Sequence, residues 1–281
     1  MTKYQPNQLE PIPFFTEKER AKLHLLASEY SLNELMDNPR VFEDRSIDYA
    51  YVSSKIEGST YSKVGVSSLL KYGWTEGGKP LSDALMVCDL NRAFLFVMNN
   101  AQTEDILTET FIKDLHSITT EHQLSKRFLG SVRQDKVRIG GSSYEPLESA
   151  VQLNAEFQYL VETAQSIEDP FEQAVYVHCN LAYLQYFTDG NKRTSRLMQT
   201  AVMVHHGLTP IFIEEHEIDN YLKAIIAYYE DGDRRSYAEL FVRAYQRTID
   251  NLLGRTEEQL QRIKEDEERI KQAQSLRSRR R

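Results

Sequence analysis

The stretch Gln185-Tyr186-Phe187-Thr188-Asp189-Gly190-Asn191-Lys192-Arg193-Thr194-Ser195-Arg196 decides how this chain is read. It joins two stretches of helical periodicity, about 170–185 and 191–206. A Gly-Asn pair entering a helix leaves backbone N–H groups pointing outward at the positive end of the helix dipole, which is a ready anion site. Arg193 and Arg196 are three apart and project from neighbouring places on the first turn. Two guanidinium forks beside a helix N-terminus suit a polyphosphate better than a single carboxylate. Asp189 sits at the loop's entry, where a carboxylate could hold Mg²⁺ bridging such phosphates. Taken alone, the same residues also fit a polar helix start with an Asp turn and two surface arginines.

The sequence around this loop is helical almost throughout. Thr16-Glu17-Lys18-Glu19 has the pattern of a capping box and predicts a helix to about Met36. A second helical stretch covers 43–58, with Ile47, Tyr51, Ser54 and Gly58 on one stripe. Segment 63–72 is short and apolar. Leu81 to Asn99 reads as a long helix with Leu85, Cys88, Ala93 and Phe96 facing inward, and Thr108 caps a helix to about Glu121. From Leu129 to Tyr144 the texture changes: Val132, Val137 and Ile139 are β-branched, Gly140-Gly141 punctuates, and a short hairpin is expected. Helices resume at about 148–165 and at Asp169-Pro170, an acidic cap with proline at the first helical position. A helix from Asn191 stops at Gly207. The last segments are 217–230, 237–253 after Ser236, and a charged helix over 256–276. The expected fold is all-α with one small hairpin: an N-terminal helical region over 1–100, a core over 101–254, and a charged helix with a basic tail over 255–281.

Composition agrees with that architecture. The 281 residues include 12 Gly and 8 Pro, fewer than the usual ~7% and ~5%, which disfavours a many-turned β-sandwich. No apolar run approaches the ~18 residues of a membrane span, and the polar start has no signal-peptide stretch. Cys88 and Cys179 make no disulfide framework or zinc ligand set, so a reduced, cytoplasmic setting is expected. The net charge of −8 gives no general reason to expect nucleic acid. Residues 255–281 run against it, with nine basic and six acidic side chains, and read as a solvated tail. Leu253, Leu260, Ile263 and Ile270 form a sparse stripe there, able to dock on the body of the protein or on a second copy, as a homodimer.

The loop resembles the signature of the Fic (Fido) family, His-x-Phe-x-Asp/Glu-Gly-Asn-Gly/Lys-Arg-x-x-Arg. Phe187, Asp189, Gly190, Asn191, Lys192, Arg193 and Arg196 match in register. The resemblance implies a Fic-type helical bundle whose loop binds ATP with Mg²⁺: Gly190, Asn191, Lys192, Arg193 and Arg196 on the phosphates, Asp189 on the metal. The implied reaction is transfer of AMP to a Ser, Thr or Tyr hydroxyl of a target protein. Phe187 would anchor the loop. Two further stretches match. Ser53-Ser54-Lys55-Ile56-Glu57-Gly58 fits the family's inhibitory pattern, in which the Glu, here Glu57, pairs with the second motif arginine, here Arg196. Arg133, Val137, Ile139, Gly140 and Gly141 resemble the flap that pairs with an extended target segment. Tyr221, Tyr228 and Tyr229 match aromatic positions that flank the adenine, though each fits ordinary core as well.

The sequence departs from the signature at Gln185, where the family has its catalytic His, and at Tyr186, where a Pro is usual. Glutamine can hydrogen-bond but has no basic atom near neutral pH, and general-base help is typically worth ~10²–10⁴-fold. His178, seven residues earlier on the same helix, lies ~10 Å away at ~1.5 Å per residue, too far to substitute. His205 and His206 close the following helix. The sequence does not place His116 and His122. Three functions stay open: AMP transfer restrained by Glu57 and impaired by Gln185, a pseudoenzyme that binds nucleotide and a partner, and removal of AMP with Glu57 as base on a water.

Overall fold

Phe171 to Leu184 are buried without exception, and from Asn191 to Val204 only Lys192 escapes burial. These two helices, on either side of the 185–190 loop, are the centre of the molecule. A computed structural model describes residues 2–256, 258, 259 and 261. In it the helices are α1 (Glu17–Glu29), α2 (Leu32–Met36), α3 (Pro39–Ile56), α4 (Lys63–Tyr72), α5 (Leu81–Asn100), α6 (Glu109–Thr120), α7 (Ala150–Gln165), α8 (Pro170–Leu184), α9 (Asn191–His205), α10 (Ile218–Asp231) and α11 (Arg234–Leu252). α9 packs on α8, α5 and α6; α7 and α10 cover α8; α3 lies on α5, and α1 on α11. One continuous apolar cluster runs from Leu9 to Ile249. The only strands among the described residues are β1 (Thr2–Lys3) and β2 (Tyr144–Glu145), a parallel pair with Thr2 opposite Tyr144.

Local chemistry explains most boundaries. Thr16 and Glu19 form the expected capping box. The helix ends at Glu29, short of Met36, because Ser31 and Glu34 form a second capping box that restarts the chain as α2. The Asp169 carboxylate accepts from the N–H groups of Phe171 and Glu172 ahead of Pro170. α11 starts three residues before the expected 237 because Asp233, not Ser236, caps it, accepting from the N–H groups of Arg235 and Ser236. On α5 the buried stripe is Ala84, Val87, Leu90, Ala93, Phe94 and Val97; Leu85, Cys88 and Phe96 are only half-buried. That helix is packed from several sides, by α3, α6 and α9.

The hairpin expected over 129–144 is absent. The segment is irregular, turning at Ile139–Ser142 where Ser142 N–H donates to the Ile139 carbonyl at 3.2 Å. Its β-branched residues lack a cross-strand partner, and β2 pairs instead with the N-terminal β1. Arg133 replaces a ladder: its side chain, 1% exposed, donates to the carbonyls of Gln185 at 2.6 Å, Asp135 at 2.9 Å and Leu147. The Glu230 carboxylate of α10 accepts from Ser142 Oγ and Ser143 N–H. Apart from a few residues, the charged helix expected over 256–276, with Leu260, Ile263, Ile270 and the basic tail, lies outside the described residues.

Candidate active site

Three segments distant in sequence meet at the head of α9. Glu57, residues 137–140, Gln185 and residues 188–192 line one cavity of about 180 Å³. The head of α9 is open in the electrostatic sense: Gly190 is its N-cap, no side chain caps it and no acid lies in its first turn. Gly190 is required there. Its φ is +79°, and a Cβ would stand 2.5 Å from Thr120 Cγ2.

Glu57 is the acidic wall of this cavity. It follows α3 as the C-cap residue, and its carboxylate lies 3.0 Å from Arg196 Nη2 and 3.7 Å from Lys192 Nζ. Burial raises its pKa, but the charges of Arg196, Lys192 and Arg193 outweigh burial and hold it below the ordinary range. Arg196 is seated on α3 as well: Ser53 Oγ accepts from its Nε at 3.1 Å and from Nη2 at 2.9 Å, and the Ser53 carbonyl accepts at 3.3 Å. The Glu57–Arg196 pairing expected from sequence is therefore formed, with Ser53 beside it.

Asp189 keeps a 60% exposed side chain at the loop's tip. Its Oδ1 accepts from Gly190 N–H at 2.6 Å, and its Oδ2 from Arg193 Nη2 at 2.9 Å. Burial raises its pKa, and Arg193 with that N–H more than reverses the effect. One ionised, open carboxylate suits Mg²⁺, which keeps several waters and takes few protein ligands. Arg193 itself is 2% exposed and does not line the cavity.

Gln185 ends α8 in the left-handed region, with φ +50° and ψ +50°, the only positive-φ residue other than glycine among those described. Left-handed backbone costs a non-glycine residue about 1–2 kcal/mol, and such strain gathers at functional sites. The side chain is tied back: its Nε2 donates to the Ala182 carbonyl at 2.7 Å, and its Oε1 accepts from Asn191 Nδ2 at 3.2 Å. It borders the cavity with both polar atoms occupied. Tyr186 takes the usual Pro position by packing on Phe157, ring centroids 4.1 Å apart, and donating to Asn154 Oδ1 at 2.6 Å.

Phe187 is fully buried, as expected of an anchor. Its partner is His116 of α6, stacked at 3.8 Å. Gly130 N–H donates to His116 Nδ1 at 3.0 Å, so Nε2 carries the proton and donates to the Asp189 carbonyl at 2.9 Å. Burial pushes His116 down to about 4. It braces the loop and has no free lone pair for proton transfer. His178 is buried against Tyr237, His122 meets Asp89, and His205 and His206 meet the Ala101 carbonyl and Gln173. None of them lines the cavity.

Tyr221 sits behind Arg196, fully buried, its hydroxyl accepting from Nη1 at 3.2 Å. Tyr228 and Tyr229 are buried too. All three are core here, and Tyr221 supports Arg196 rather than facing the cavity. Arg133 braces the 133–147 segment from inside, whereas Val137, Ile139 and Gly140 face the cavity. The sequence reading missed His116, Gln123, Asn154 and Glu230. Each meets its partner from at least 32 residues away, and no local motif marks them.

An all-helical bundle with this loop is a Fic fold, and residues 106–203 match the Fic/DOC family model. The match covers residues 106–203 alone; Ser53, Glu57 and Tyr221 lie outside it. It is 27% identical over 224 residues to protein adenylyltransferase Fic of Nematostella vectensis, covering 77% of this chain and 51% of that one. It is 25% identical to the protein of the same name from Aedes aegypti, covering 78% and 44%. The chain thus spans about half the length of the curated relatives it matches. Fic-1 from C. elegans superposes with a TM-score of 0.71 at 21% identity, over 84% of this chain and 71% of that one. A Fic family protein from Desulfovibrio desulfuricans gives 0.73 at 17%, over 89% and 77%. These structures share the fold. No described helix is long and apolar enough to cross a membrane.

Proposed function

We propose that the cavity at the head of α9 binds ATP with Mg²⁺ and serves transfer of AMP to a Ser, Thr or Tyr hydroxyl of a target protein. The observation that carries this is the convergence of Glu57, residues 137–140 and the 185–192 loop on an uncapped helix N-terminus. The α9 N–H groups and Lys192 would meet the phosphates, and Asp189 would hold the metal, which would neutralise charge on the phosphates. Glu57 occupies Arg196 and Lys192, so a polyphosphate must displace its carboxylate before those cations are free. Val137, Ile139 and Gly140 would border the incoming target segment. The relatives named protein adenylyltransferase Fic support this reaction class.

Gln185 favours a second reading. Its amide is tied to Asn191 and Ala182 and has no basic atom, so this site supplies no imidazole to take the hydroxyl proton. A nucleotide-binding pseudoenzyme that holds a partner chain follows from that observation. Removal of AMP would use Glu57 as base on a water, through the carboxylate oxygen that Arg196 leaves free. Labelled ATP with cell lysate separates these readings across wild type, Gln185→His, Glu57→Gly and the double variant. Transfer in the double variant at least ~10²-fold above Glu57→Gly alone is expected if only the base is missing. Binding of ATP with no transfer by any variant supports the pseudoenzyme. Loss of label from a pre-modified lysate, dependent on Glu57, supports removal.

A further inference from the structure

Arg193 is held from behind by a residue that no motif marks. Its Nη1 donates to Gln123 Oε1 at 2.6 Å, while Nη2 donates to Asp189. Gln123 lies in the turn after α6, 70 residues away. Its own Nε2 donates to Asp89 Oδ2 on α5 at 3.3 Å. Asp89 is buried, and its carboxylate also accepts from His122 N–H at 3.0 Å, meets His122 Nδ1 at 2.7 Å and accepts from Arg92 at 3.1 Å. The Gln123 amide cannot turn over in this setting, because that would aim its NH₂ at a guanidinium and its oxygen at a carboxylate. Arg193 Nε, also buried, has no partner among the described residues. A charged donor buried unpaired is rare in folded proteins and needs a reason.

We propose that Gln123, oriented by Asp89, is the positioning residue that fixes the buried Arg193 against Asp189, so that the guanidinium charge backs the loop that takes a nucleotide's phosphates. This rests on the nucleotide reading of the cavity. The choice of an amide has a physical logic. A carboxylate at 123 would set its second oxygen against Asp89, where Gln123 now donates, and, with Asp189 already on the other side of Arg193, would cancel the positive field the phosphates need. A neutral acceptor fixes the guanidinium in geometry and leaves its charge available.

Two readouts on the full chain test this. In arginine-labelled protein, the Nη protons of Arg193, assigned by their loss in Arg193→Lys, should be resolved, because both ends of the fork are pinned. Gln123→Met, which keeps volume but removes the acceptor, should average them. Calorimetry with ATP and Mg²⁺ should show about five- to tenfold weaker binding in Gln123→Met. In the Arg193→Lys background, Gln123→Met should change ATP affinity less than twofold. Resolved Nη protons in Gln123→Met, or an equal loss of affinity in both backgrounds, overturns the proposal. A wild type that binds no ATP overturns the nucleotide reading and the proposal with it, an outcome told apart because the reference protein itself fails.

Discussion

Replacing Glu57 with Gln removes a negative charge from the cavity while keeping an oxygen that can accept from Arg196. In the wild type the carboxylate lies 3.0 Å from Arg196 and 3.7 Å from Lys192. At an effective dielectric of about 20 those separations correspond to roughly 5.5 and 4.5 kcal/mol of Coulomb attraction, before desolvation is subtracted. Any polyphosphate must compete with that attraction for the same two cations. The net effect is the surplus over hydration, and hydrogen bonds to charged groups are worth about 1.5–3 kcal/mol net. Glu57→Gln should therefore tighten ATP–Mg²⁺ binding by about 1.5–3 kcal/mol, or roughly tenfold to a hundredfold. AMP, which carries less charge, should gain less. The same change should destabilise the free protein by about 1–3 kcal/mol, since Arg196 keeps Ser53 and Tyr221. Calorimetry with ATP and AMP, beside urea unfolding, measures both. An ATP affinity unchanged in a folded Glu57→Gln protein would refute the competition between carboxylate and phosphate.

The strained end of α8 makes a separate prediction. Gln185→Ala loses two side-chain hydrogen bonds while keeping the left-handed backbone, whereas Gln185→Gly loses the bonds but relaxes the strain, so Gly should be the more stable by about 1 kcal/mol in denaturant unfolding. Gly190→Ala should cost about 2 kcal/mol or more, combining a positive φ with the contact on Thr120 Cγ2, and Thr120→Ser should return part of it. His178, pushed down to about 3 by burial and by Arg196, is protonated in the unfolded chain near ~6.5 but not in the folded one. The unfolded state then binds more protons between these values, so stability is full above pH 6.5 and falls as pH drops toward 3. Urea midpoints of wild type and His178→Phe across that range should converge as the pH is lowered; parallel curves would contradict it.

What could be read from the sequence is what short-range chemistry determines. The Thr16–Glu19 box, the Asp169-Pro170 start and the Gly207 stop each depend on residues within a few positions, and each stands where expected. Reading a single helix to Met36 passed over Ser31-x-x-Glu34, the same motif repeated, and Ser236 lost its role as cap to an Asp three residues earlier. The hairpin failed for a different reason. Val132, Val137 and Ile139 have strand propensity, but propensity does not supply a ladder partner, and the buried Arg133 holds this backbone instead. At the site, Glu57, Asp189, Arg196 and the loop backbone were legible because they lie in spaced motifs. Arg193 was read as a phosphate ligand on an exposed first turn, whereas the structure buries it beside Asp189. Gln123, Asp89 and His116 were not legible, since they act through contacts across the bundle that no sequence spacing encodes. Tyr221 was placed beside an adenine by the family resemblance; the structure shows it buried, its hydroxyl accepting from Arg196.

If the proposed function holds, the uncapped head of α9 takes a nucleotide's phosphates once Glu57 withdraws. A structure of the Glu57→Gly protein determined with ATP and Mg²⁺ tests it most directly. Phosphate oxygens are expected on the backbone N–H groups of Asn191, Lys192 and Arg193, with the metal on the Asp189 carboxylate and Arg196 turned from Ser53 toward the phosphates. Nucleotide bound elsewhere on the surface, with the head of α9 free and Arg196 still on Ser53, would contradict it.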